Sequence, residues 1–154
     1  MTGASVPWVL VFEDDEDDFV LLKRAFEESG HSASLVRARD GEELAPALLR
    51  PPAGAAGAYP RFVLLDLRMP RKDGREALRE LKGHPEWRKI PVVVLTTSKY
   101  PGDINRAYLD GANTFLSKPH DFRSLVDMIA VVCAYWLKIA QHPAPELRFP
   151  EEKA

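Results

Sequence analysis

The chain has 154 residues, of which 45% are hydrophobic and 29% charged, an ordinary composition for a folded domain with a sizeable core. Its formal net charge of −2 argues against nucleic-acid binding, which usually requires a basic excess or stripe. No apolar run reaches the ~20 residues of a membrane span, and the amino terminus lacks the features of a secretory signal. A single cysteine excludes an internal disulfide framework. We therefore expect a cytoplasmic protein.

Strand-like and helix-like patterns alternate five times along the chain, and two of these units precede residue 50. They are predicted strands at residues 6–12 and 33–37 and predicted helices at residues 17–29 and 40–49. Gly30 ends the first helix, and Asp40 is expected to cap the second. Residues 51–60 are rich in Pro, Gly and Ala, which predicts an expanded surface loop.

Three further units follow this loop. Their strands are predicted at residues 62–66, 91–96 and 113–116, and their helices from Gly74 onward, at 103–110 and at 120–139. The fourth strand is rich in valine and is therefore expected to be central. The last helix carries an apolar stripe at Phe122, Leu125, Ile129, Cys133 and Trp136. Because Cys133 lies on this stripe, we interpret it as a packing residue and not as a reactive thiol.

Alternating strands and helices predict an α/β fold with a parallel sheet covered on both faces. With five units, the simplest solution is a doubly wound sheet in the strand order 2-1-3-4-5. In such folds the functional site lies at the carboxyl ends of the strands, beside the point where the strand order reverses, here between the first and third strands. The chemistry-bearing residues should therefore cluster where these strands end.

The sequence meets this expectation. Six consecutive acids, residues 13–18, follow the first strand, and Asp66 ends the third. Glu13 and Asp14 lie at the end of their strand, and three carboxylates crowded at a sheet edge repel one another unless a cation is present. Mg²⁺ suits such a site because it prefers oxygen ligands and bridges carboxylates to phosphoryl groups. Residues 15–18 are interpreted instead as favourable charge at a helix amino terminus.

Asp66 ends an apolar strand, where it is either a turn-forming residue or a carboxylate nucleophile that becomes an aspartyl phosphate. Because metal-binding acids are expected beside Asp66, we favour its interpretation as the nucleophile over that as a turn-forming residue. Lys118 is either an ordinary surface lysine or the partner of Asp66 and of the incoming phosphoryl oxygens. In the second case, a cis peptide bond before Pro119 would direct its side chain inward. Thr96 and Phe115 together suggest a switch in which the threonine moves toward the phosphate and the aromatic ring turns inward.

These motifs resemble the receiver domains of two-component response regulators, which have a flavodoxin-like fold. The residues that carry the resemblance are Glu13-Asp14, Asp66, Met69-Pro70, Asp73-Gly74, Thr96, Phe115 and Lys118-Pro119. The likeness covers residues 6–139, so residues 140–154 form a tail that is too short for a separate output domain. A narrower likeness, to the small response regulators paired with bacterial and cyanobacterial phytochromes, rests on residues 87–98, 103–108, 111–113 and 135–137.

The resemblance implies a role for each site residue. Asp66 would be the phosphoacceptor, and a Mg²⁺ ion would be bound by Glu13, Asp14, Asp66 and the backbone carbonyl of Arg68. Thr96 and Lys118 would hold the phosphoryl group, and Phe115 would be the switch aromatic. The donor would be a histidine kinase, of the phytochrome type by the narrower likeness. Glu13 stands where an Asp is frequent, and Phe115 where a Tyr is frequent, so an activation step that needs a tyrosine hydroxyl is in doubt.

The last helix also has a second apolar face, formed by Met128, Val131 and Tyr135. This face is either an interface or part of a broad buried surface. Our hypothesis is a homodimer formed by the fourth helix, fifth strand and fifth helix, with the tail packing across the partner. The protein would not be an enzyme in its own right, but a signalling phosphoacceptor that assists its own phosphoryl transfer and dephosphorylation.

Three other functions fit parts of the sequence. A phosphatase with an aspartyl-phosphate intermediate typically needs a second Asp two residues after the nucleophile, where this chain has Arg68. A nucleotide- or flavin-binding module would carry phosphate-binding glycines where this chain has acids. The remaining alternative is a receiver-fold binding module that acts without phosphorylation.

Overall fold

Five strands and five helices alternate through the part of the chain that the computed structural model describes, residues 5–67 and 74–145. The strands are β1 (Trp8–Phe12), β2 (Ser34–Ala38), β3 (Val63–Leu65), β4 (Val92–Thr96) and β5 (Thr114–Ser117). The helices are α1 (Glu16–Glu28), α2 (Gly41–Leu49), α3 (Gly74–Gly83), α4 (Pro101–Leu109) and α5 (Phe122–Cys133). A 3₁₀ turn at Trp87–Lys89 precedes β4, and a π-helical segment at Ala134–Ile139 follows α5.

The strands form one parallel sheet in the order β2-β1-β3-β4-β5, which confirms the predicted doubly wound, flavodoxin-like topology. Phe12 at the end of β1 is paired with Ala38 of β2 on one side and with Leu65 of β3 on the other. The strand order reverses between β1 and β3, which is where ligand sites lie in sheets of this kind. Residues that follow β1 and β3 therefore meet at one edge of the sheet.

Apolar side chains alternate between the two faces of the sheet, and helices cover both faces. Val9 and Val11 face α1 and α5, whereas Trp8, Leu10 and Phe12 face the layer formed by α2, α3 and α4. Because β1, β3 and β4 are buried on both sides, their sequences are continuous apolar runs. β5, at one edge of the sheet, is half-buried along its whole length, and β2 at the other edge is half-buried except at its last residue.

Two of the predicted helix starts are shifted by one or two residues. The Asp15 carboxylate accepts a hydrogen bond from the backbone N–H of Asp18 at 2.9 Å, so α1 begins at Glu16, one residue before the predicted start. The helix predicted at 103–110 begins at Pro101, because proline fits the first turn of a helix.

The last helix also differs from the prediction. Asp121 caps it by accepting a hydrogen bond from the Ser124 backbone N–H at 2.8 Å, so its α-helical part begins at Phe122 instead of residue 120. Its carboxyl-terminal part is π-helical from Ala134 to Ile139, which the apolar spacing did not predict. Cys133 is fully buried, as expected of a packing residue.

The loop at residues 51–60 lacks helices and strands, as predicted, but it is anchored to the sheet. The backbone N–H of Val6 donates to the Gly54 carbonyl at 2.9 Å, and Trp8 Nε1 donates to the Gly57 carbonyl at 3.3 Å. The start of the tail also contacts the chain, since Lys89 Nζ donates to the Ala144 carbonyl at 3.0 Å. Among the described helices, none combines the length and apolar character that a bilayer span requires.

Candidate functional site

Three carboxylates meet at the edge of the sheet where β1 and β3 end. Glu13 directly follows β1, and Asp66 directly follows β3, where its backbone N–H donates to the Phe12 carbonyl at 3.2 Å. Asp18 reaches the same place from the first turn of α1. Carboxylate oxygens of Glu13, Asp18 and Asp66 all lie within 4.8 Å of one another. The pairing of β1 with β3 thus brings together acids more than 50 residues apart in the chain.

The composition of this acidic group differs from the prediction in one residue. Asp14, predicted as a metal ligand, is half-buried beside the group but does not belong to it, whereas Asp18 does. For Asp18, the sequence pattern indicates only favourable charge at the helix start. A signal for it exists, because Asp18 lies four residues before the buried Leu22 and thus on the inward face of α1. Arg68, whose carbonyl was predicted as a ligand, lies outside the described residues.

Lys118 places its ammonium group among the three acids. Its Nζ lies 3.0 Å from Glu13 Oε1, 3.0 Å from Asp66 Oδ2 and 3.5 Å from Asp18 Oδ2. The expectation of a cis bond before Pro119 is wrong, since that bond is trans. The lysine points inward because its backbone N–H donates to the Thr96 carbonyl at 2.7 Å, which continues the pairing of β5 with β4 past the last residue of the strand.

The electrostatics of this site are unbalanced toward negative charge. The Glu13 side chain is only 2% exposed, and burial, with a contribution from Asp66, raises the pKa of its carboxyl group despite the opposing effect of Lys118. For Lys118, burial lowers the pKa, but the carboxylates of Asp66 and Glu13 outweigh this effect and raise it. One ammonium group therefore faces three carboxylates.

This donor set fits a divalent cation. The ligands offered are carboxylate oxygens, which hard cations such as Mg²⁺ and Mn²⁺ prefer. The formal charge of three carboxylates and one ammonium group is −2, which one divalent ion would balance. Burial is the main cause of the raised pKa of Glu13, and a cation bound beside its carboxylate would lower that pKa.

Gly74 at the start of α3 packs directly on the backbone that carries Asp66. A Cβ atom at this position would lie 2.0 Å from the Asp66 carbonyl oxygen and 2.6 Å from the Leu67 Cα. The backbone N–H of Gly74 donates to the Leu67 carbonyl at 3.2 Å. Only glycine allows this close approach, so the first residue of α3 sets the position of the peptide group that follows Asp66.

Thr96 and Phe115, the two predicted switch residues, lie on the same face of the sheet. Val94 is the register partner of Phe115, and Thr96 is two residues further along β4. Thr96 is fully buried, and its hydroxyl oxygen is 3.5 Å from the backbone N–H of Ser98. Phe115 is half-buried against the core layer of α4, and its backbone N–H donates to the Tyr108 hydroxyl at 3.1 Å. Their coupled movement stays a prediction.

Two polar contacts near the site were not expected from the sequence. Ser98 Oγ donates to the Asp103 carboxylate, which also pairs with Arg75 Nη2 at 2.8 Å, so the loop after β4 is tied to the first turn of α3. Arg37, near the end of β2, donates hydrogen bonds to the backbone carbonyls of Glu13 and Asp14 in the acidic loop between β1 and α1. An arginine within a half-buried strand gives no sign in the sequence of where its long side chain ends.

Comparison with known proteins identifies relatives over almost the whole chain. Residues 9–130 match the family described as "Response regulator receiver domain". The "Probable methanogenesis regulatory protein FilR2" of Methanothrix harundinacea is 40% identical over 89% of this chain and 88% of its own length. "Response regulator Rcp1" of a Synechocystis strain is 34% identical over 88% of this chain and 92% of its own length.

Solved structures similar to this one include proteins described as parts of light-signalling systems. The phosphorylated cyanobacterial phytochrome response regulator RcpA superposes with a TM-score of 0.77, and RPA3017, from red light signalling in R. palustris, with 0.78. The Mn²⁺-bound form of Rcp1 has a TM-score of 0.74. Each is 34% identical and covers 90% of this chain and 99% of its own.

Proposed function

The chain belongs to the response regulator receiver family, and from this membership we propose that it accepts a phosphoryl group from a histidine kinase on Asp66. One observation carries the proposal. The Asp66 carboxylate is 11% exposed, lies among acids suited to a divalent cation, and is 3.0 Å from the Lys118 ammonium group. A carboxylate nucleophile needs positive charge beside it when a phosphoryl group arrives, and this site provides it.

The residues around Asp66 suit in-line phosphoryl transfer. The Asp66 oxygen attacks the phosphorus atom of the phosphohistidine, the bond from phosphorus to the histidine nitrogen breaks, and an acyl phosphate forms. Lys118, held between Glu13 and Asp66, neutralises part of the charge on the transferred oxygens. The Thr96 hydroxyl, on the last residue of β4, is the proposed partner of a phosphoryl oxygen. The protein thus assists its own phosphorylation and hydrolysis without being an enzyme for another substrate.

We further propose that the cofactor is Mg²⁺, held by Glu13, Asp14, Asp66 and the carbonyl of Arg68, with Asp18 close enough to contribute. When bound, the ion supplies positive charge to the phosphoryl oxygens. The oxygen donors of the acidic group support this, as does the Mn²⁺-bound form of the similar protein Rcp1, because Mn²⁺ and Mg²⁺ favour the same ligands.

The proposed phosphoryl donor is a phytochrome-type histidine kinase in the cytoplasm. Support comes from similar proteins that are described as a phytochrome response regulator and as part of red light signalling. Rapid phosphotransfer from a purified phytochrome kinase, but not from unrelated histidine kinases at equal concentration, is the expected result. Equal transfer rates from all donors would contradict this assignment and leave phosphorylation of Asp66 intact.

We also propose a homodimer formed by α4, β5 and α5. Large apolar side chains are exposed on this side of the molecule at Tyr108, Leu109, Val131, Tyr135 and Ile139. Val131 and Tyr135 are 71% and 50% exposed, so the second apolar face of the last helix is not buried in the monomer. Met128, in contrast, packs against the core layer of α1 and α5. Sedimentation of the full chain at tens of micromolar should detect the dimer, and a strict monomer would exclude it.

The phosphoacceptor proposal is tested by intact mass after incubation with Mg²⁺ and acetyl phosphate. One added phosphoryl group is expected in the wild type and none in Asp66→Asn, which keeps the size of the side chain but lacks the nucleophilic carboxylate. Asp103→Asn is a matched control that alters an acid in the first turn of α4. An unchanged wild-type mass would refute the proposal and favour a receiver-fold module that binds partners without phosphorylation.

A further inference from the structure

Arg37 at the carboxyl end of β2 is bound to the backbone of the acidic loop. Its Nε donates to the Glu13 carbonyl at 2.9 Å, and its Nη2 donates to the Asp14 carbonyl at 2.9 Å. Its Nη1 pairs with the Glu16 carboxylate, and its guanidinium carbon lies 5.2 Å from the centre of the Phe19 ring. The side chain is 11% exposed, so little water competes for these contacts.

The two carbonyls that Arg37 binds belong to residues whose carboxylates are proposed cation ligands. A carboxylate reaches only the positions that its own backbone allows, so fixing these peptide groups restricts where Glu13 and Asp14 point. The six acids of residues 13–18 repel one another, which favours a more open loop. Arg37 opposes this repulsion from the side of β2, while Lys118 does so from the side of β5.

We propose that Arg37 is a positioning residue for the divalent-cation site: its planar guanidinium fixes the carbonyls of Glu13 and Asp14 and thereby holds the Glu13 carboxylate beside Asp66. The inference rests on the proposed function, since it takes cation binding at these acids as its premise. Arg37 acts through the backbone of the ligands, and the geometry of its donors, not its charge alone, is what the site requires.

Geometry and charge make opposite predictions for removal of Arg37. If the side chain acted only as a nearby positive charge, its loss would strengthen the binding of a cation. If it orients the ligands, its loss weakens cation binding although the site becomes more negative. Arg37→Lys separates the two effects, because lysine keeps the charge and the aliphatic stem but cannot donate to both carbonyls and to Glu16 from one rigid plane.

The test is calorimetric titration of the full-length protein with Mg²⁺ alone, without a phosphoryl donor. Arg37→Met and Arg37→Lys should both weaken Mg²⁺ affinity, by roughly 10- to 100-fold for the methionine variant and less for the lysine variant. Arg39→Met is the matched control, because Arg39 is exposed at the same strand end. The charge change there is screened by solvent and should shift the affinity by less than about twofold.

Each outcome decides the inference. Tighter or unchanged Mg²⁺ binding in folded Arg37→Met, or wild-type affinity in Arg37→Lys, would overturn it, and so would a wild type that binds no Mg²⁺. Urea unfolding of each variant separates a loss of fold from a loss of affinity, and Arg37→Lys, the milder change, keeps the test valid if Arg37→Met unfolds. A wild type that binds Mg²⁺ in an Arg37-dependent manner but gains no mass with acetyl phosphate would support the role of Arg37 while refuting the phosphoacceptor proposal.

Discussion

Replacing Lys118 by methionine should destabilise the protein in the absence of metal and strengthen its binding of Mg²⁺. The ammonium group lies 3.0 Å from each of two carboxylates, and all three side chains are at least 86% buried. At an effective dielectric constant near 20, each contact corresponds to about 5.5 kcal/mol of Coulomb attraction, most of which is offset by desolvation of the charges. Removing one partner of such a buried pair typically costs about 3–5 kcal/mol.

We expect the loss for Lys118→Met to lie near the lower end, at about 3 kcal/mol, because Glu13 can relieve the repulsion by taking up a proton. Its pKa is already raised by burial and by Asp66, and loss of the ammonium group removes the main effect that lowers it. Mg²⁺ takes over the compensation that the ammonium group provided, so its affinity should rise by an amount on the order of tenfold.

The assay is urea unfolding at pH 7.5, with EDTA and with saturating Mg²⁺, combined with Mg²⁺ titration of the folded proteins. Lys23→Met, an exposed lysine on α1, is the control for loss of one positive charge. The expected pattern is a large stability deficit in EDTA that shrinks markedly with Mg²⁺. Wild-type stability in EDTA, or weaker Mg²⁺ binding by a folded Lys118→Met protein, would refute the electrostatic reasoning.

Three further predictions concern Glu13, Gly74 and Cys133. Burial raises the pKa of Glu13 from 4.5 to about 7, so the free energy of unfolding in metal-free buffer should fall as the pH rises through this interval. In urea titrations across the same pH range, Glu13→Gln should abolish this pH dependence. Gly74→Ala places a Cβ atom 2.0 Å from the Asp66 carbonyl oxygen, so this variant should lose about 1–3 kcal/mol of stability and should be phosphorylated more slowly by acetyl phosphate. Gly83→Ala is the control, because the space around its Cβ position is open, and it should change neither property. Burial raises the pKa of the Cys133 thiol from 9.0 to about 12, which leaves about a thousandfold less thiolate. Alkylation of Cys133 by iodoacetamide at pH 8 should therefore be far slower in the native protein than in urea. Comparable rates would show that the thiol is accessible.

The sheet could be predicted because its determinants are local and repeated. Each central strand is a short apolar run that is buried on both faces, and each is followed by a segment with helical spacing. Parallel strands joined by helices leave few economical arrangements for five units. The element ends were less accurate because a single capping side chain decides them, as Asp15 does for α1 and Asp121 for α5.

The site could be predicted only as far as strand ends determine it. Glu13, Asp66 and Lys118 follow three strands, and the strand order alone brings them to one edge. Asp18 was missed because its role depends on the rotation of α1 relative to the sheet, which is set by the packing of Leu22. The inward direction of Lys118 does not come from a cis bond before Pro119, as the sequence suggests, but from a backbone hydrogen bond to Thr96.

The pairing of Lys118 with Asp66 was predicted, whereas the contacts of Arg37 were not. Arg37 and Lys118 come from opposite edge strands, β2 and β5, yet both reach the acidic loop after β1 through long, flexible side chains. Propensity and periodicity describe where a backbone goes, and they carry no information about where a side chain of four or five rotatable bonds ends. The acids alone would repel one another, so the fold must supply cations from both sides to keep the site assembled before any metal binds. Through the unbalanced charge that remains, the proposed divalent-cation binding would stabilise this part of the protein.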